Sequence, residues 1–172
     1  MTETEFNPDR ADIRADMRAG IRAGAIGGLV AGALVSLAYL GLERASGKPS
    51  ELIKLGRSTA IAFGSPYRHQ DSLPAPDEQV RYQGAHLALS TLMGAAYPLA
   101  RQLRFYRGAL GGALYGASFY ALFWGLAGPR LGLTPTPRAD GAALAGQKLA
   151  LLSGFGLVTA SIADALSPRT GA

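Results

Sequence analysis

The chain has 172 residues, 48% hydrophobic and 17% charged, with 23 glycines and no cysteine; a soluble domain of this size carries about 25% charged residues. This composition excludes a disulfide scaffold, a thiolate metal site and a cysteine nucleophile, and argues against a disordered polar tail. The formal net charge of +5 points to nucleic acid only if the basic residues form a patch, so their placement decides its meaning.

Residues 1–22 form a polar N-tail. Arg10, Arg14, Arg18 and Arg22 recur every four residues, Ile13, Met17 and Ile21 make an adjacent apolar stripe, and Asp9, Asp12 and Asp16 lie on a third face. The pattern predicts an amphipathic helix. It either rests on the cytoplasmic leaflet, its arginines meeting anionic headgroups, or continues the first span as a solvated extension. The tail is long and acidic, unlike the short basic start of a cleaved signal peptide.

Four long stretches follow in which charge is nearly absent: 23–42, 82–100, 108–129 and 141–163, the last interrupted by Lys148 alone. About 20 helical residues cross a hydrocarbon core of ~30 Å. None of the four shows the polar face that a soluble bundle needs. The expectation is an all-α integral membrane protein of four transmembrane helices.

The connections differ in character. Residues 43–81 form a long loop in which Ser50 is a candidate N-cap for a short helix at about 50–63. There Leu52, Leu55, Thr59 and Phe63 share one face, with Glu51, Lys54 and Arg57 opposite. Gly64-Ser65-Pro66 stops that helix, and the prolines beyond it predict extended chain. His69 and Asp71 are too few ligands for a metal. Residues 101–107 make a short loop with Arg101, Arg104 and Arg107, residues 130–140 a proline-rich loop, and residues 164–172 the C-tail.

Counting Lys and Arg gives eight on each side of such a bundle, so totals do not orient it. The density of arginine in 101–107 does, and places both termini in the cytoplasm. The positive charge is then a topology signal and not a nucleic-acid site. Tyr39, Tyr82 and Trp124 fall near the outer interface, and Tyr97, Phe105 and Tyr106 near the inner one.

The chain also repeats itself. GAIGGLVAGALVSLAYLGL (24–42) matches GALGGALYGASFYALFWGL (108–126) at eight of nineteen positions, and GAHLALSTLMG (84–94) matches GQKLALLSGFG (146–156) at five of eleven. The reading is two duplicated parallel hairpins about a pseudo-two-fold along the membrane normal. Gly24, Gly28 and Gly32 recur at helical spacing, as do Gly108, Gly112 and Gly116. Each triplet makes a groove for close helix packing, inside the bundle or at a homodimer face.

Polar residues within the spans are the candidate site. His86 and Lys148 occupy equivalent repeat positions, with Gln83 one turn before His86 and Gln147 next to Lys148. They predict either inter-helix hydrogen bonding with Lys148 snorkelling, or a polar chamber for protons, an anion or a lipid headgroup. There is no P-loop, no HExxH and no nucleophile paired with a histidine and a carboxylate. The chain is therefore expected not to be an enzyme, and to use no cofactor or metal.

The third span ends in Gly132-Leu133-Thr134-Pro135, followed by Thr136-Pro137, and the second and fourth spans contain Gly84-Ala85-His86 and Gly146-Gln147-Lys148. In these features residues 24–166 resemble the YagU-like family of bacterial inner-membrane proteins. That family carries Gly-His pairs on the second and fourth spans; here the first is offset by one residue and the second has lysine instead. The resemblance implies a multi-pass inner-membrane protein of unassigned activity. The functional expectation is a scaffold or subunit of an envelope complex, with membrane lipids and a membrane protein or a second copy as partners. A small channel or carrier through His86 and Lys148, and a lipid-binding or membrane-shaping protein, are the alternatives.

Overall fold

The computed structural model describes residues 8–65 and 71–167. Every regular element among them is helical: α1 (Pro8–Ser46), α2 (Glu51–Ala62), α3 (Pro76–Ala100), a 3-10 turn (Arg104–Tyr106), α4 (Gly108–Leu122), a π-helical turn (Phe123–Ala127), α5 (Gly128–Arg130) and α6 (Pro137–Leu166). Three stretches are long and apolar enough to cross a membrane: Ile13–Ser46, Gly108–Arg130 and Pro137–Leu166. The stretch 82–100, expected as a fourth span, lies in α3. It carries Gln83, His86, Ser90 and Thr91, which lower its hydropathy below that of the other three.

The N-tail and the first span are one continuous helix of 39 residues. At 1.5 Å per residue it is about 58 Å long, far more than a ~30 Å hydrocarbon core. The arginine stripe is thus an extension of α1: Arg14, Arg18 and Arg22 are exposed, and Arg10 lies in the first turns with its side chain outside the described residues.

Local chemistry sets the other boundaries. The Ser50 hydroxyl accepts from the Ile53 N–H at 3.4 Å and opens α2. Gly64, at φ +87°, closes it: the Ser65 N–H reaches the Ala60 carbonyl and the Gly64 N–H the Ile61 carbonyl, each at 2.9 Å, the paired bonds of a Schellman end. The Thr136 side chain caps α6, with Pro137 in its first turn.

Packing follows the small residues. α1 lies along α3, α4 along α6, and α1 along α6. A Cβ added to Gly28 would overlap the Ser90 carbonyl oxygen, and one on Gly94 the Gly24 carbonyl oxygen. On the other pair, Gly116 meets the Leu152 carbonyl and Gly156 the Gly112 carbonyl. Gly27 faces Thr159 across the α1–α6 contact. Gly108 is not a groove residue: it sits at φ +70° with no neighbour near its missing side chain, starting α4 after the arginine loop. Large apolar side chains face outward instead: Leu37, Leu92, Leu110 and Leu122 are all more than 60% exposed, while Ala23, Ala31, Ala160 and Ala163 are buried. Small inside and leucine outside suits a lipid environment.

Candidate functional site: a capped cavity between α3 and α4

α3 and α4 do not pack along each other. The space between them is a cavity of about 490 Å³, within the range of small-molecule sites. Each wall is one helix face. α3 supplies Tyr82, Ala85, His86, Leu89 and Met93; α6 supplies Lys148, Leu151, Leu152 and Phe155; α1 adds Val35 and Tyr39; α4 and the π turn add Phe119, Phe123 and Trp124. The i, i+3, i+4, i+7 spacing puts each set on one side of its helix. The π turn widens the helix where Phe123 and Trp124 enter the wall, a feature frequent at functional sites.

Nearer the arginine loop, tyrosines join α3 and α4. The Tyr97 and Tyr115 ring centroids are 5.5 Å apart and those of Tyr106 and Tyr115 5.9 Å. The Tyr115 hydroxyl donates to the Met93 carbonyl at 2.8 Å, tying α4 to α3.

α2 closes the other end. Arg57, which the helical pattern set on a polar face, is 1% exposed. Its Nε and Nη2 grip the two Glu78 carboxylate oxygens at 2.8 and 2.9 Å, and Nη1 donates to the Ser72 carbonyl at 2.8 Å. Glu43 accepts from the Ser50 N–H at 2.9 Å. Gly56 lies flat on the Tyr82 ring, where any side chain would collide. α2 is thus a fastened cap.

Lys148 reaches into this polar end and is 2% exposed. Its Nζ donates to Asp140 Oδ2 at 2.7 Å and lies 2.9 Å from Glu51 Oε2, with the Trp124 ring 5.8 Å away. An unbroken helix would hold residues 140 and 148 about 12 Å apart along its axis. Gly141, at φ +78° and ψ +161°, interrupts α6 in a conformation open to glycine and lets Asp140 turn back. Lys54 Nζ meets the second Glu51 oxygen at 3.1 Å. Burial pushes the Glu51 carboxyl up, but the hydrogen bonds and charges of Lys148 and Lys54 outweigh it and hold its pKa below the usual value. Two lysines against two carboxylates leave this cluster without net charge.

His86 lines the same cavity. Its Nε2 is buried without a partner, as is the Tyr82 hydroxyl. Gln83 is half-buried and not part of the cavity wall, and Gln147 is exposed, so of the four predicted polar residues only His86 and Lys148 share the site.

Comparison of the chain with family models, curated proteins and solved structures finds no match. The site is therefore read from its own chemistry. Among the described residues no cluster of three or more His, Cys, Asp or Glu is placed to hold a metal; His69 lies outside them. Glu51, Asp140 and Arg57 were not singled out as site residues from the sequence, because their roles depend on the cap folding back. The one local signal was Gly141 directly after Asp140.

A second crevice, at the opposite end, is lined by Met17, Gly20, Pro98, Arg101, Arg107 and Asp164. Its main polar feature, the Arg101–Asp164 pair at 2.9 Å, is half-exposed and joins the start of the arginine loop to the end of α6.

Proposed function

We propose that the chain is a four-span inner-membrane protein with cytoplasmic termini, and that it binds a lipid-like amphiphile in the cavity between its two hairpins. The carrying observation is the cavity itself: aromatic and aliphatic walls along its length, polar groups at one end only, and a gap between α3 and α4 through which a chain in the bilayer can enter. Neutralisation of Lys148 by Asp140 and Glu51 and the tyrosine cluster at the far end disfavour a path for anions or protons.

α3 serves as the fourth span. At 25 residues it is about 38 Å long, and it is locked by glycine contacts to the middle of the apolar part of α1. Of its polar side chains, Ser90 packs on Gly32 of α1, Thr91 donates to the Leu87 carbonyl of its own helix and His86 lines the cavity. The two hairpins behave as duplicates: Gly28 meets Gly94 as Gly112 meets Gly156, and Gly32 meets Ser90 as Gly116 meets Leu152, pairs that fall at equivalent positions in the repeats. The cavity is where the symmetry fails. The closely packed α1–α6 contact has Gly27 against Thr159; its counterpart between α4 and α3 has bulky Tyr97 and Tyr115.

The test is purification into nanodiscs followed by mass spectrometry of the lipids retained. One amphiphile should co-purify at near 1:1 ratio and be lost from Ala85→Trp, which fills the cavity. No enriched lipid, or equal retention by the variant, overturns the reading.

A further inference from the structure

We infer that the cavity holds one acyl chain of a membrane lipid and leaves the head outside, so that it selects chain length and not headgroup. The inference rests on the cavity being a lipid site and names the part of the lipid that is recognised. Size comes first. On α3 the lining runs from Tyr82 to Met93, about 16 Å along the helix axis. The volume is about 490 Å³. At roughly 30 Å³ per methylene, the share of one water in the liquid, that space takes a single chain of about sixteen carbons and no second one.

The polar groups of the wall offer a head little. Lys148 Nζ is held by Asp140 at 2.7 Å and by Glu51 at 2.9 Å, and Glu51 also meets Lys54. Arg81 pairs with Asp77 at 3.2 Å, and the Thr59 hydroxyl donates to the Leu55 carbonyl at 2.8 Å. The His86 Nε2 and the Tyr82 hydroxyl are enclosed by protein and present no surface to a ligand. This leaves the hydroxyls of Tyr39 and Ser90, which carry no charge. The rest of the wall is carbon, from Leu89 and Met93 on α3 across to Phe119, Phe123, Leu151 and Phe155. A charged head drawn against it would lose its hydration without gaining a partner. A hydrocarbon chain has no such cost, since the bilayer it leaves is as apolar as the wall. Its gain is the dispersion contact made by filling a void, and that gain depends on how well the chain fits. The gap between α3 and α4 admits the chain sideways while the head stays at the bilayer surface.

The protein is reconstituted in nanodiscs of a lipid mixture that crosses phosphocholine, phosphoglycerol and uncharged glycerol heads with acyl chains of about 12 to 20 carbons, a range centred on the length set by the volume. Lipids kept by the wild type and lost from Ala85→Trp are counted by mass spectrometry. Their chains should peak at about sixteen carbons, and chains four carbons shorter should be kept less by roughly fivefold or more, the effect of one methyl-sized void. The heads should keep the proportions of the mixture. Leu151→Ala, which enlarges the cavity, should move the peak to longer chains. One head enriched over the others, or a flat distribution of chain lengths, overturns the chain assignment and leaves the lipid site standing. No lipid lost from Ala85→Trp overturns the site as well. Should Ala85→Trp fail to fold, the movement of the peak in Leu151→Ala decides alone.

Discussion

Lys148 has three neighbours that set its energy: Asp140, Glu51 and the Trp124 ring. Asp140 is 3% exposed, so removing the ammonium strands a buried carboxylate. Lys148→Met should cost about 3–5 kcal/mol, the usual loss when one partner of a buried pair is deleted, measured by unfolding in detergent. Glu51 makes the pair pH-dependent. Its pKa is lowered in the folded protein, so its stabilisation is complete above the unfolded value of ~4.3 and is lost as the pH falls through the folded value. The wild-type melting temperature should therefore drop in acid, while Glu51→Gln, already lower at neutral pH, should lose less. Parallel acid profiles for the two proteins would contradict this. Little of the pair was legible in sequence, since Lys148 lies eight positions beyond Asp140, across the break at Gly141, and nearly a hundred beyond Glu51.

Helix elements differ in how much their own residues reveal. The glycine spacing in α1 and α4 marks close-packing faces, because an absent side chain is what admits a neighbouring backbone. Gly28→Leu and Gly112→Leu should each destabilise by about 1–3 kcal/mol, the overpacking range, read as a lower detergent melting temperature. Gly154, helical with open space around it, is the control: Gly154→Ala should raise stability by about 0.5–1 kcal/mol through helix propensity. Spacing alone did not separate Gly108 from Gly112, since the conformation of Gly108 is imposed by the turn that precedes it. α3 was legible as an uncharged stretch, but its polar residues are explained only by what covers them.

At the scale of the molecule, the helix that hydropathy leaves out decides the topology. If α3 crosses the bilayer, Leu73 and Arg104 lie on opposite sides. Reporter fusions after these residues should give an external signal at Leu73 and a cytoplasmic one at Arg104; the same side for both would leave three spans. The arginine-dense loop also carries Arg101, whose ion pair with Asp164 ties the end of α3 to the end of α6.

The sequence by itself determined the helical class, the apolar stretches, the Ser50 and Gly64 limits of α2 and the glycine faces. Each depends on residues within a few turns of one another, where propensity, spacing and charge act locally. The tertiary structure decided what lies between the helices. Bulky tyrosines keep α3 and α4 apart, Arg57 is drawn inward by Glu78, and Asp140 turns back at Gly141. The cap carries Glu51 to Lys148, joining charges too far apart in the chain for any local pattern to pair them.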